Sequence, residues 1–162
     1  MSYYHSFEGR LAMITESHGG HSALPGCYLI MTVEDESKSI VNFIVSPSTY
    51  FVDNETLEVG DYIQGFYNIN TPVPLIYPPQ FQAVVMTEVS KDEFVVVDHF
   101  NRQLINSSNT LRLNIGPDTD ILLVNNQNFT GDISNRDLVV VYKNSTRSIP
   151  ATTTPEEVIV LC

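Results

Sequence analysis

His18-Gly-Gly-His21, with Glu16 just before it and Cys27 just after, is where metal-ligand side chains stand closest together in this chain. Two imidazoles and a thiolate suit zinc, with a carboxylate or water as fourth ligand. An HxxH pair aims both rings at one ion mainly on a helix, and Gly19-Gly20 argues against a helix. A plain surface loop is therefore expected, with zinc on His18, His21 and Cys27 as the lesser alternative. Asp118, Asp120, Asp132 and Asp137 supply hard oxygens, but no spacing resembles a calcium loop, and aspartates that bond their own turn backbone account for them. Asp98 and His99 could be paired as an orienting acid and a base. Adjacent residues of a strand face opposite sides, however, so the two are not expected to cooperate.

No GxSxG, Walker loop, GxGxxG or HExxH pattern is present, and Cys27 has no basic neighbour to activate its thiol. The chain is thus expected to be non-catalytic and to need no cofactor, zinc excepted. Cys27 and Cys162 are the only thiols, far apart and outside any CxxC pattern, so the sequence requires no disulfide. Asn54, Asn106, Asn128 and Asn144 match the glycosylation acceptor pattern, but with no secretory signal they are expected to mark polar turns.

With 19 Asp+Glu against 8 Lys+Arg the net charge is −11, a field that repels phosphate backbones and anionic lipids. No apolar run approaches the roughly 20 residues needed to span a bilayer. The N-terminus MSYYHSFEGR has neither a basic nor an apolar leader region, so a cytoplasmic protein is expected.

The elements that must position any site are strands. Val, Ile, Thr, Tyr and Phe recur in short runs between Asn, Asp, Gly, Ser and Pro clusters, and no amphipathic helix of useful length can be drawn. Five strands are predicted in the first half: 6–14, 27–34, 39–46, 62–67 and 81–89. A connector at 47–58 follows the third. That order matches an OB-type barrel, a five-stranded Greek-key barrel.

The second half repeats the first. Pro47-Ser-Thr49 aligns with Pro117-Asp-Thr119 at an offset of 70, while Asp61, Pro74 and Pro79 align with Asp137, Pro150 and Pro155 at 76. The expectation is an all-β chain of two tandem OB-like barrels made by internal duplication, residues 1–89 and 90–162, joined by the turn Ser90-Lys-Asp-Glu93. The phrases FYNINTPVPLIYPPQFQAVV and VVVYKNSTRSIPATTTPEEVIVL also resemble a group of small uncharacterised proteins of Gram-positive anaerobes. The resemblance covers nearly the whole chain and implies no activity.

Between the fourth and fifth strands of the first copy lies NINTPVPLIYPPQFQ, Asn68 to Gln82. Its four prolines remove backbone donors and fix φ, so the segment is stiff without being regular. Tyr77-Pro78 is a candidate cis bond. Leu75, Ile76 and Tyr77 either plug the end of their own barrel or meet a partner at small entropic cost, with Pro78 and Tyr67 beside them. Pro74 and Pro79, having counterparts in the second copy, are expected to serve the fold, and Leu75 to Pro78 to serve function. The leading expectation is a binding or assembly module acting through protein–protein contact or self-association. Single-stranded nucleic acid or an oligosaccharide in an OB-like groove is the alternative. Tyr62, Phe66, Tyr67 and Tyr77 would stack bases, and Arg136, Lys143 and Arg147 would meet phosphates. A metal-binding role for the His18/His21 loop ranks third.

Overall fold

The computed structural model describes residues 3–17 and 25–162. The chain is all-β: thirteen strands and a single 3-10 turn at Val52–Asn54, with no α-helix among the described residues. It divides into two compact units, Tyr4–Val89 and, with Tyr3, Ser90–Cys162.

In the first unit the strands are β1 (Tyr4–Glu16), β2 (Leu29–Glu34), β3 (Ile40–Val45), β4 (Tyr50–Phe51), β5 (Tyr62–Asn68), β6 (Gln80–Gln82) and β7 (Val85–Glu88). Their order across the sheet is β4-β7-β5-β1-β2-β3-β6. β1 is long because it serves two partners: Tyr4 to Arg10 pair with β5, and Arg10 to Glu16 pair with β2. A register shift between Leu11 and Met13 marks a bulge, which bends the strand as it passes from one partner to the other. Gly9 stands at this handover, where a Cβ would collide with the backbone carbonyl of Glu34. The predicted fifth strand is divided. Its first part, β6, runs parallel to β3, and its second, β7, runs antiparallel to β5. Ala83 and Val84 join them, donating backbone hydrogen bonds to Ile44 and Phe66 respectively.

The second unit follows the same plan with β8 (Phe94–Phe100), β9 (Leu111–Leu113), β10 (Asp120–Leu123), β11 (Arg136–Tyr142), β12 (Ala151–Thr153) and β13 (Glu157–Val160). β8 pairs β11 and β11 pairs β13, both antiparallel, while β12 runs parallel to β9 and β10 parallel to β13. The second strand of the copy is reduced to bridges at Ile105 and Asn106. Both copies turn into their third strand on an Asx residue: Asp35 and Asn106 each accept backbone N–H groups through Oδ1, and Lys38 and Asn109 follow with left-handed φ of 69° and 56°. Short strands are added where a connector was expected, because β4 and β10 lie along the outer side of β7 and β13.

These pairings correct the repeat register. Thr49 and Thr119 make the same bonds, accepting the N–H of Ser46 and Gly116 and donating to the carbonyls of Ala83 and Pro155, so the offset of 70 holds there. In the fourth strand Tyr62 corresponds to Asp137, since their carbonyls accept the N–H groups of Val89 and Leu161, an offset of 137 − 62 = 75. In the fifth, Val84 corresponds to Glu156, an offset of 156 − 84 = 72. Pro155 is therefore the counterpart of Ala83 and not of Pro79. The proline landmarks misled because proline recurs every few residues in both loops.

Each unit has its own core. In the first, Leu11, Val33, Phe43, Ile63 and Met86 are fully enclosed or nearly so; in the second, Phe100, Leu113, Leu138, Val140 and Val158 fill the same role. The two cores solve one packing problem differently. Phe43 lies over Gly65, where a Cβ would sit 2.5 Å from the ring. At the equivalent positions the second unit has Leu113 and Val140. Adding a methyl at Gly65 overpacks the site, so Gly65→Ala should destabilise the protein by about 1–3 kcal/mol in urea unfolding. In a Phe43→Leu background the same change should cost measurably less, because the smaller side chain leaves room. Equal costs in the two backgrounds would show that the ring and the glycine are not coupled.

Candidate functional site

The loop from β5 to β6 is held at both ends. At its start Asn68 caps a turn, its side-chain oxygen accepting the N–H of Asn70 (2.8 Å) and its carbonyl that of Thr71 (3.1 Å). At its end the carbonyl of Pro79 accepts the N–H of Asn42 (2.9 Å), which starts the parallel pairing of β6 with β3. Between these anchors the Tyr77-Pro78 bond is cis, as the sequence suggested it could be. The side chains do not plug the core. Leu75 is 101% exposed, Tyr77 80% and Ile76 52%, and Ile69 and Val73 beside them are also exposed. No charged residue occurs from Tyr62 to Thr87, in a chain whose net charge is −11.

Tyr67 behaves otherwise. Its ring stacks on Phe81 at 3.8 Å between centroids and 5° between planes, and both rings lean on Phe43. This stack closes the core under the loop, and partial burial pushes the Tyr67 phenol up. Tyr67 therefore supports the loop from beneath and is not one of its free side chains. Phe66 is buried, so it offers no stacking surface either.

The second unit carries a version of the same loop. Ile149-Pro150 is also cis, at the offset of the fifth strand (150 − 78 = 72), and Ile149 is 92% exposed, as Tyr77 is. Pro78 thus has a counterpart, whereas Pro74 and Pro79 do not, the reverse of the assignment made from the sequence. The fourth strands differ by 75 and the prolines by 72, so the first loop is longer by 75 − 72 = 3 residues. Its extra length lies in the stretch that carries Leu75.

His18 and His21 lie outside the described residues. Of their expected companions, Glu16 accepts the N–H of Gly26 at 2.6 Å, and Cys27 is an exposed free thiol, as is Cys162. Among the described residues no group of three or more His, Cys, Asp and Glu is placed to hold a metal ion. Asp132 is a turn former, accepting the N–H of Ser134; that bond and the Ser134 hydroxyl hold its carboxyl below the usual carboxylate range.

Sequence reasoning missed a dyad. His99 does not meet Asp98, which faces the other way and accepts hydrogen bonds from the His99 N–H (2.7 Å) and the Ser107 hydroxyl (2.6 Å). The imidazole instead lies across the β8–β11 ladder from Asp137, its directly paired residue, with Nδ1 at 2.8 Å from Oδ1. Nε2 is 3.2 Å from Oδ1 of Asn135. Once β8 and β11 are known to pair in this register, the contact follows from cross-strand geometry. A ring between two acceptor oxygens is satisfied when both nitrogens carry protons. The Asp137 hydrogen bond accordingly raises the His99 pKa, against a smaller opposing effect of burial. This is a structural clasp.

The electrostatics of the two units differ. Partial desolvation, and after it the carboxylates of Glu8, Glu36 and Asp35, push the Tyr62 phenol up, which places an acidic rim beside β1 and β5. In the second unit the basic residues named from the sequence do not form one cluster. Arg136 and Lys143 lie at and just beyond opposite ends of β11, about 20 Å apart at the usual strand rise. Arg136 is also engaged, its guanidinium 5.0 Å over the Phe129 ring and its Nε donating to the Asp132 carbonyl. Near Lys143 the loop and strand bound a groove of about 380 Å³, with residues 143–146 on one side and Thr152, Thr154 and Glu156 on the other.

No family model matches this chain, and no curated protein or solved structure matches it either.

The His99 clasp makes a pH-dependent prediction. Its folded pKa is raised, so the stabilisation is complete below the ordinary histidine value of 6.5 and is lost as pH rises through the higher folded value. NMR titration should place His99 above 6.5 in the native protein and lower in Asp137→Asn. The stability gap between the two proteins should be wider at about pH 5–6 than above the folded His99 value. A pH-independent gap would show that the clasp acts without its charge.

Proposed function

We propose that this protein is a non-catalytic association module, two OB-like Greek-key barrels in tandem, whose first unit holds another protein chain through the loop tip Leu75-Ile76-Tyr77. The observation that carries this is the full exposure of Leu75 on a loop that prolines and end anchors hold in place. Three adjoining apolar side chains kept in water by a stiff backbone are a loss to the free protein and a gain once covered. Pro78 shapes the tip and Tyr67 supports it.

The barrel assignment is supported by the path of the last strand. β6 and β7 are the two neighbours at the seam of the first sheet, one beside β3 and one beside β5, and a single chain segment joins them. β12 and β13 repeat this beside β9 and β11. A third strand parallel to the fifth, with the fifth antiparallel to the fourth, matches OB order, and the loop between strands four and five is a usual ligand-gripping loop of that fold. A β-solenoid is the competing architecture for short strands. It stacks parallel coils, whereas the long pairings of β1 with β2 and β5, and of β8 with β11, are antiparallel.

Replacing Leu75, Ile76 and Tyr77 together by Ser should change stability by no more than about 0.5 kcal/mol each, since none is in the core. Immobilised native protein, challenged with extract of its own cells, should retain a discrete protein that the triple variant releases, identified by mass spectrometry. If both proteins retain the same chains, the tip is not the binding surface.

A second use is favoured by the groove beside Lys143. Hydroxyls and an amide with one ammonium and one carboxylate match the alternating donors and acceptors of an oligosaccharide, and the net charge of −11 makes a polyphosphate strand the poorer candidate. Saturation-transfer NMR with neutral oligosaccharides should give contacts that Glu156→Gln weakens. No transfer from any of them would eliminate this use.

A further inference from the structure

We infer that the chain held by the Leu75-Ile76-Tyr77 tip is a second copy of this protein, docked tip to tip about a two-fold axis; this rests on the association function proposed above. Charge selects the partner. In an isologous contact residue i meets residue j and j meets i, so two surfaces of the same net charge are brought together. The first unit carries ten carboxylates against Arg10 and Lys38, a net charge of 2 − 10 = −8, and over most of its surface such a contact would be repulsive. The segment Tyr62 to Thr87 carries no charge at all, and the exposed side chains Ile69, Val73, Leu75, Ile76 and Tyr77 lie within it. Here two copies can meet apolar to apolar with no like charges opposed. A basic partner, by contrast, would be drawn to the carboxylates of the first unit, none of which lies within Tyr62 to Thr87.

The tip also has the rigidity that self-docking needs. Asn68 and Pro79 tie both ends of the loop to strands, and prolines occupy four of the positions between Thr71 and Gln80. Little freedom is lost when it is covered. One loop is nonetheless smaller than the roughly 800 Å² per partner of a stable dimer, so the contact should be weak and reversible. Its salt response has a characteristic sign. Two bodies of charge −11 repel at long range, and salt shortens that range from about 10 Å at 0.1 M to about 3 Å at 1 M. An apolar contact between them should therefore tighten as salt is added, whereas a charge-driven contact would loosen.

Sedimentation equilibrium of the full chain at 0.15 M and 1 M NaCl tests this, with Leu75→Asp as the variant. Leu75 is wholly exposed, so the variant should keep the native melting temperature while placing two carboxylates face to face in the dimer. The expected result is a monomer–dimer equilibrium that tightens with salt and that Leu75→Asp weakens at least tenfold. A native protein that stays monomeric at both salts overturns the inference, as does a dimer that loosens with salt or ignores Leu75→Asp. If the native protein is monomeric but the tip still retains a different chain from extract, the association function stands and the partner is not a second copy.

Discussion

The architecture depends on one chain segment serving two strands. Gln80–Glu88 begins beside β3 and finishes beside β5, and the backbone bonds of Ala83 and Val84 hold it at the crossing. Thr49 fastens the same point from outside by donating to the Ala83 carbonyl, and Thr119 does so in the second unit. β5 ends close to where β6 begins, Tyr67 stacking on Phe81, yet β6 pairs with β3 and not with β5, so the two are not joined as a hairpin. The proline-rich segment between them has few N–H groups and restricted φ, so it does not seek ladder partners of its own.

Much of the fold was legible because alternation survives wherever one face is buried. The strands expected over 27–34, 39–46 and 62–67 correspond to β2, β3 and β5, and the proline-rich loop does follow β5. What could not be read was set by contacts distant in sequence. β4 and β10 are too short to announce themselves, and they exist because β7 and β13 offer them an edge. The second strand of the second copy shrank to two bridges because the connection before it is so short that the chain must turn at once, with Asn101 capping Gln103 and Ile105. The His99–Asp137 clasp needed a register, which no single strand contains.

The site shows the same division. That the loop would be stiff followed from its composition, and that Tyr77-Pro78 could be cis followed from proline chemistry. Which side chains would stand in water did not follow. Leu75 and Phe81 are both large and apolar, yet Phe81 is stacked on Tyr67 and Leu75 is bare. The difference lies in their positions: Phe81 is in β6, paired with Phe43 over the core, whereas Leu75 lies in the loop, outside any strand that would direct it inward. The exposed tip thus lies where the two units differ, whereas the residues that correspond between them hold strands together.

The exchange of Phe43 and Gly65 for Leu113 and Val140 bears on how two units of similar strand plan are packed. Neither residue of either pair can move alone into the other copy: valine at Gly65 meets the Phe43 ring, and glycine at Val140 leaves a void beside Leu113. Each unit's core volume is therefore set by a pair of positions that can change only together, and neither unit's pair is interchangeable residue by residue with the other's.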